Sequence, residues 1–145
     1  MKITILILAL LAGCNIRQSF QPLLYNYESF QKPGATEVDV MKALLECGMV
    51  DPIGDLRLGH SNPDWNKIPD KEYQELRERT TYAELCMFND GFKLTPKANS
   101  AVCKVVPSLQ ACKPENAHLI PTRDVNRRLN SSYCKAYPKA DACIP

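Results

Sequence analysis

The 145-residue sequence is poor in the residue types on which many catalytic sites depend. It has two histidines, His60 and His118, and neither lies in a recognisable catalytic motif. Its six glycines form no phosphate-binding loop. Its formal net charge is only +2, so bulk electrostatics gives no reason to expect a nucleic-acid partner. These absences predict a protein that is not an enzyme, with no catalytic residue, no cofactor and no nucleic-acid partner.

Close cysteine pairs are also missing, although seven cysteines is a high count for a chain of this length. Zinc sites usually contain C-x₂₋₄-C pairs, and thiol redox centres use C-x-x-C. The nearest cysteines here are separated by eight residues, as Cys103 and Cys112 are. This spacing argues against a metal site or a redox centre and favours structural disulfides.

The N-terminal apolar run is too short to cross a membrane as a helix, which needs about 20 residues. It covers residues 3–12, follows Met1 and Lys2, and is typical of a secretory signal peptide. It ends in Leu-Ala-Gly-Cys at residues 11–14, which resembles the lipobox of bacterial lipoprotein signal peptides. The resemblance implies that residues 1–13 are removed. It also implies lipidation of Cys14, with diacylglycerol on its thiol and an acyl chain such as palmitate on its amino group.

Lipid on Cys14 would attach the protein firmly to a membrane, because two or more acyl chains give stable anchoring. In Gram-negative lipoproteins an aspartate after this cysteine often signals retention in the inner membrane. The residue here is Asn15. The resemblance therefore implies the outer membrane, with the protein facing the periplasm or the outside. The alternative is an ordinary cleaved signal, with Cys14 as a structural thiol.

Two helices are predicted in the first half of the mature chain. The first runs from Thr36, a good N-cap, to Gly48, which suits the left-handed position after a helix. The second begins near Pro69 and ends before Gly91. Each helix carries a cysteine shortly before its final glycine, which favours a disulfide Cys47–Cys86 that joins the pair.

A two-cysteine unit occurs twice near the C-terminus, at residues 99–112 and 130–143. Both copies follow the pattern N-S-x-x-C-K-x-x-P-x-x-x-A-C, offset by 31 residues. A helical turn at about 100–105 leads into the first copy, and a helix from 122 to about 136 leads into the second. Proline stops each helix, and the chain then turns back toward its own cysteine. Six cysteines allow fifteen pairings. The favoured pairs are Cys103–Cys112 and Cys134–Cys143, and a pairing swapped between the copies is the main alternative.

The predicted fold is mainly α: a small, loop-rich domain of short helices stapled by disulfides. We expect a single domain over residues 33–145, preceded by a lipidated tether at residues 14–32. The tether is rich in aromatic and aliphatic residues between Phe20 and Phe30. These side chains either pack on the protein's own core or contact a partner in the membrane.

Three internal motifs resemble a group of small, largely uncharacterised lipoproteins of Gram-negative bacteria. They are F-x-K-P-G at residues 30–34, A-L-L-E-C-G at 43–48 and A-E-L-C-M-x₃-G-F at 83–92. Some members of this group also end in a C-x₃-P-x₄-C unit like the repeat. The resemblance implies an envelope location and a helix–disulfide–helix plan, and it implies no activity.

Two parts of the chain are candidate contacts for an envelope protein. Trp65, the single tryptophan, lies in a predicted loop at residues 49–68 and either fills a local core or contacts a ligand. Arg123, Arg127 and Arg128 form a basic cluster on the last predicted helix. Such a cluster is either solvated or binds phosphates or an acidic partner.

These features favour a non-catalytic binding or accessory module of the cell envelope. One alternative is a surface-exclusion lipoprotein that blocks a receptor, for which the aromatic segment at residues 20–30 is the natural membrane-partner contact. Another is an envelope hydrolase, or an inhibitor of one. An enzyme would need a cleft with perturbed carboxylates, and the sequence predicts none.

Overall fold

Short helices dominate the fold. A computed structural model describes residues 27–53, 70–96, 98 and 100–145. This part of the chain is mainly helical, as predicted, and contains a two-stranded sheet that was not predicted. The α-helices are α1 (Glu37–Glu46), α2 (Asp70–Asn89), α3 (Val102–Val105), α4 (Val125–Leu129) and α5 (Ser132–Ala136), and the strands are β1 (Phe30–Gln31) and β2 (Lys93–Leu94). Short 3-10 helices lie at Tyr27–Ser29, Gln110–Cys112, Pro114–Leu119 and Asp141–Cys143.

Helix α1 begins and ends with the signals that its sequence predicts. The Thr36 hydroxyl accepts the amide of Asp39 at 3.2 Å, and the Asp39 carboxylate accepts the amide of Thr36 at 2.8 Å. This is a complete capping box. The hydrogen bonds from the Thr36 backbone and side chain lower the pKa of Asp39. At the other end Gly48 has φ = 98°, a conformation that glycine adopts without steric cost.

Helix α2 is the longest helix that the structure describes, and it packs across α1. The Cys47–Cys86 disulfide joins the two helices near their ends, which confirms the predicted pair. Around it lies the main core, whose buried apolar residues are Phe30, Val40, Ala43, Leu44, Cys47, Met49, Ala83, Cys86, Met87 and Phe92.

The segment just before α1 belongs to the domain. Strand β1 pairs antiparallel with β2, and Phe30 is opposite Leu94 in register. Phe30 is 3% exposed and sits in the main core, and the Tyr27 amide donates to the Pro52 carbonyl at 2.7 Å. The expected tether at residues 14–32 is therefore too long at its C-terminal end, because burying Phe30 draws residues 27–32 into the fold. Residues 14–26 lie outside the described part of the chain.

The two copies of the cysteine unit close with the same disulfide pairing and the same turn hydrogen bonds. The disulfides Cys103–Cys112 and Cys134–Cys143 confirm the favoured pairing, and each has a Cα–Cα distance of 5.3 Å. Three backbone hydrogen bonds of the first copy recur 31 residues later in the second. In the first copy, the amides of residues 106, 109 and 112 donate to the carbonyls of residues 102, 106 and 109, respectively. The alanine before the second cysteine is buried in both copies, at Ala111 and Ala142.

The last predicted helix is wrong in its extent. Instead of one helix over 122–136, the structure has α4 and α5 with a break at Asn130–Ser131. The Asp124 carboxylate caps α4 by accepting the amide of Asn126 at 2.8 Å. The Ser131 hydroxyl caps α5 by accepting the amide of Cys134 at 3.1 Å. A side chain that caps a new helix at position 131 requires extended backbone there, which ends α4.

A second, smaller core lies where α1 meets the second cysteine unit. Leu45 is fully buried there against Tyr133 and the Cys134–Cys143 disulfide. Burial raises the pKa of Tyr133. None of the helices that the structure describes is long and apolar enough to span a bilayer.

Candidate functional site

The three arginines predicted as a contact cluster all donate to Glu46, but they differ in how far they are buried. Arg128 is 3% exposed; its Nε donates to Glu46 Oε1 at 3.0 Å, and its Nη1 donates to the carbonyls of Ala142 and Ile144 at 2.6 and 2.9 Å. A buried guanidinium with these internal partners cannot reach an external ligand. The prediction that Arg128 contacts a partner is therefore wrong. Arg128 is a structural residue, because it forms an ion pair with the buried Glu46.

Arg123 also belongs to this internal network but keeps a third of its side chain exposed. Its Nε donates to Glu46 Oε2 at 2.7 Å, and its Nη1 donates to Asp90 Oδ2 at 2.8 Å. Asp90 in turn pairs with Lys32 at 3.2 Å. The network thus connects the ends of α1 and α2 with the segment before α4 and with the residues after β1.

Two members of the network, Asp90 and Arg123, have shifted pKa values. Partial burial raises the pKa of Asp90, but the hydrogen bonds from Arg123 and Lys32 outweigh it, and the net shift is downward. Burial likewise lowers the pKa of Arg123, while its bonds to Glu46 and Asp90 raise it, for a net upward shift. Both shifts favour the charged forms of Asp90 and Arg123, which strengthens the ion pair between them.

Two glutamates of α2 hold the first cysteine unit in place, and neither role was predicted from the sequence. Glu84 is 1% exposed and accepts the amide of Val102 with both carboxylate oxygens, at 3.0 and 3.2 Å. Glu78 accepts the amides of Gln110 and Ala111 at 2.8 and 2.9 Å. Both carboxylates thus satisfy backbone N–H groups at the starts of short helical turns, where helices leave donors unpaired. Their role is structural.

An open cleft of about 740 Å³ lies beside this framework. Its walls are the end of α1, one face of α2, the segment before α4 and the α4–α5 junction. The lining residues are Leu45, Cys47, Gly48, Met49, Val50, Arg79, Tyr82, Leu119, Pro121, Arg127, Asn130, Ser131 and Ser132. Clefts that bind small molecules typically enclose about 300–1,000 Å³.

Arg127 is the member of the predicted arginine cluster that lines this cleft. Its Nη1 donates to the Thr122 carbonyl at 3.0 Å and to the Glu46 carbonyl. Its stem lies against Gly48, since a Cβ built there would be 3.6 Å from Arg127 Cδ. No carboxylate of the described residues lies within ion-pair distance of this guanidinium.

Arg79 lines the cleft from α2. It is exposed and lies three residues before Tyr82 on the same helix face. Glu75 and Arg79 form no ion pair in the described part of the chain, whereas Lys71 and Glu75 pair at 3.9 Å between exposed side chains. The cleft therefore contains two guanidinium groups, and no acidic side chain of the described residues lines it.

Two of the predicted site residues are not described by the structure, and the histidine that it does describe was not predicted to be one. Trp65, with most of its loop at residues 49–68, and Cys14 lie outside the described residues. The exposed His118 has Nδ1 2.9 Å from the Glu115 carbonyl oxygen, and it does not line the cleft. The described residues contain no group of three or more metal-ligating side chains.

Comparison of the chain with protein-family models, with curated proteins and with solved structures found no match.

Proposed function

We propose that the chain is a lipid-anchored outer-membrane lipoprotein that acts as a non-catalytic binding or accessory module of the cell envelope. The anchor is the lipid on Cys14, and the binding surface is the cleft that Arg79 and Arg127 line. The observation that carries the proposal is this cleft, because Arg79 and Arg127 line it and neither forms an ion pair with another described residue, whereas Arg123 and Arg128 are engaged in ion pairs.

The three disulfides support the proposed location. Disulfides persist in oxidising compartments such as the bacterial periplasm and the cell surface, and they are rare in the cytosol. Every cysteine of the sequence after position 14 is paired within the domain. This pairing leaves Cys14 as the odd cysteine, which is the one that the lipobox assigns to lipid.

The anchor is tested by metabolic labelling with a palmitate analogue and by separation of the two membranes. Wild-type protein should carry label and sediment with the outer membrane, and Cys14→Ala should lose the label and accumulate unprocessed. Unchanged processing and membrane attachment of Cys14→Ala would refute the anchor.

The binding surface is tested by cross-linking in live cells from a photoreactive residue at position 119. Leu119 lines the cleft and is 53% exposed. The matched control is position 105, because Val105 is also apolar, is 48% exposed and lies away from the cleft. Capture of one envelope component from position 119 and not from 105 supports the proposal. Equal capture from both positions, or none, contradicts it. A captured receptor or porin would favour surface exclusion as the specific role.

A further inference from the structure

The lining of the cleft indicates which chemical class of ligand it takes. This inference rests on the proposed binding function and names its ligand. The charged residues among the described lining residues are Arg79 and Arg127, and guanidinium groups bind phosphate and carboxylate oxygens through paired hydrogen bonds. A cation or a basic segment would meet two like charges here. The charge of the lining therefore favours an anionic occupant.

Arg127 is held in position before any ligand arrives. A guanidinium has five N–H donors. The two hydrogen bonds from Nη1 of Arg127 to backbone carbonyls fix its plane, and they leave Nε and Nη2 without a partner among the described residues. An arginine fixed in this way binds an anion with little further loss of side-chain entropy. The guanidinium of Arg128, one residue later, has its Nε and Nη1 donors committed inside the domain.

The remaining lining residues divide between hydroxyl donors and apolar surface. Tyr82, Ser131 and Ser132 bring hydroxyl groups to the cleft, and Met49 and Leu119 are among its apolar side chains. Two guanidinium groups together with hydroxyls offer more donors than one carboxylate can accept, and they suit the several oxygens of a phosphate. If inorganic phosphate bound, the apolar side chains of the cleft would stay exposed to water. An alkyl group attached to the phosphate would cover them, which is favourable.

The geometry points to an anionic amphiphile as the ligand, namely a phosphate ester whose phosphate binds Arg79 and Arg127 and whose apolar part covers Leu119. A membrane lipid headgroup and a free phosphate compound share the phosphate chemistry. They differ in the apolar part, so the test separates them through that part.

The test is calorimetric titration of the purified full-length chain, in neutral detergent, with hexyl phosphate and with inorganic phosphate. We expect hexyl phosphate to bind at least about tenfold more tightly than inorganic phosphate, because only the ester covers the apolar wall. Equal affinities would overturn the amphiphile assignment. Failure of both to bind would overturn the phosphate site altogether.

Three variants assign any binding to the cleft. Arg79→Gln and Arg127→Lys should each weaken hexyl phosphate binding about tenfold, the first by losing a charge and the second by losing the paired donors. Lys139→Gln, at an exposed position outside the cleft, removes the same charge as Arg79→Gln and should change the affinity less than about twofold. A Lys139→Gln effect as large as that of Arg79→Gln would overturn the site. If the labelling experiment shows that the chain is not lipidated but hexyl phosphate still binds, the anchor is refuted and the phosphate site remains supported.

Discussion

Glu46 should be one of the most important polar residues for stability, and the substitution Glu46→Gln tests this. The side chain is 6% exposed, and its two oxygens accept the Nε atoms of Arg123 and Arg128 at 2.7 and 3.0 Å. Glutamine has nearly the same shape but no charge, and one of its two terminal atoms is a donor. The substitution therefore removes the counter-charge of a buried arginine and places an N–H group opposite another N–H group.

The size of the effect follows from burial. Removing one partner of a buried ion pair costs about 3–5 kcal/mol, because the remaining charge is left in a poorly solvated site. Arg128 keeps its bonds to the carbonyls of Ala142 and Ile144, which places the expected loss near the lower end, at about 3 kcal/mol. A domain of this size is stable by about 5–15 kcal/mol, so the loss is a large fraction of the total.

The assay is urea unfolding with the disulfides intact, followed by circular dichroism. Glu46→Gln should lower the unfolding midpoint with little change in slope. Glu75→Gln is the matched control, because Glu75 is 65% exposed and its pair with Lys71 spans 3.9 Å. That control should cost less than about 0.5 kcal/mol.

A double-mutant cycle shows whether the loss arises from the proposed contact. Replacing Arg128 by methionine in the Glu46→Gln background should cost at least about 1 kcal/mol less than in the wild type, since the stranded charge is removed. Additivity of the two substitutions, or a Glu46→Gln loss no larger than that of Glu75→Gln, would refute the reasoning.

Three further predictions follow from the same structure. Replacing both Cys47 and Cys86 by alanine should lower the free energy of unfolding by about 4 kcal/mol in the chain-entropy model, and a loss below about 1 kcal/mol in urea unfolding would contradict it. Asp90 has a lowered pKa, so it binds fewer protons in the folded protein than in the unfolded chain. Its contribution to the free energy of unfolding is therefore full above about pH 4 and is lost as the pH falls through the native pKa. Asp90→Asn should make stability decline less steeply in acid. Glu84→Gln should cost about 1–2 kcal/mol by weakening the charged cap on the Val102 amide, and thermal unfolding indistinguishable from wild type would exclude that cap as a contributor.

Local sequence signals predicted the parts of the fold that depend on local chemistry. The N-cap at Thr36 and the left-handed glycine at position 48 formed as expected. All three disulfides were predicted because each joins cysteines whose positions follow from a helix end or from the repeat. These features need only a few neighbouring residues, and so they are readable from one sequence.

The last third of the chain shows where such local signals fail. A single helix over 122–136 would place Val125 on its apolar face, yet Val125 is 49% exposed while Arg128 is 3% exposed. The helical pattern predicted the wrong buried residue because Arg128 pairs with Glu46, which lies 82 positions earlier in the chain. Long-range charge pairing overrides helical periodicity here. For the same reason the basic cluster could be recognised in the sequence. The sequence did not show which of its arginines lines the cleft.

The repeat specifies a disulfide loop, and different residues outside the repeat hold each copy against the rest of the domain. Its identical positions specify what both loops share, namely the disulfide, the proline and the buried alanine. The contacts outside the repeat have opposite polarity: Glu78 and Glu84 accept backbone N–H groups of the first unit, whereas Arg128 donates to the Ala142 and Ile144 carbonyls of the second and its neighbourhood. One loop therefore requires acceptors on α2, and the other requires a donor on α4. The copies are alike in backbone yet cannot exchange places, so the repeat serves as scaffolding. Its second copy supplies Ser132 and the α4–α5 junction to the cleft, which connects this scaffolding with the proposed binding surface.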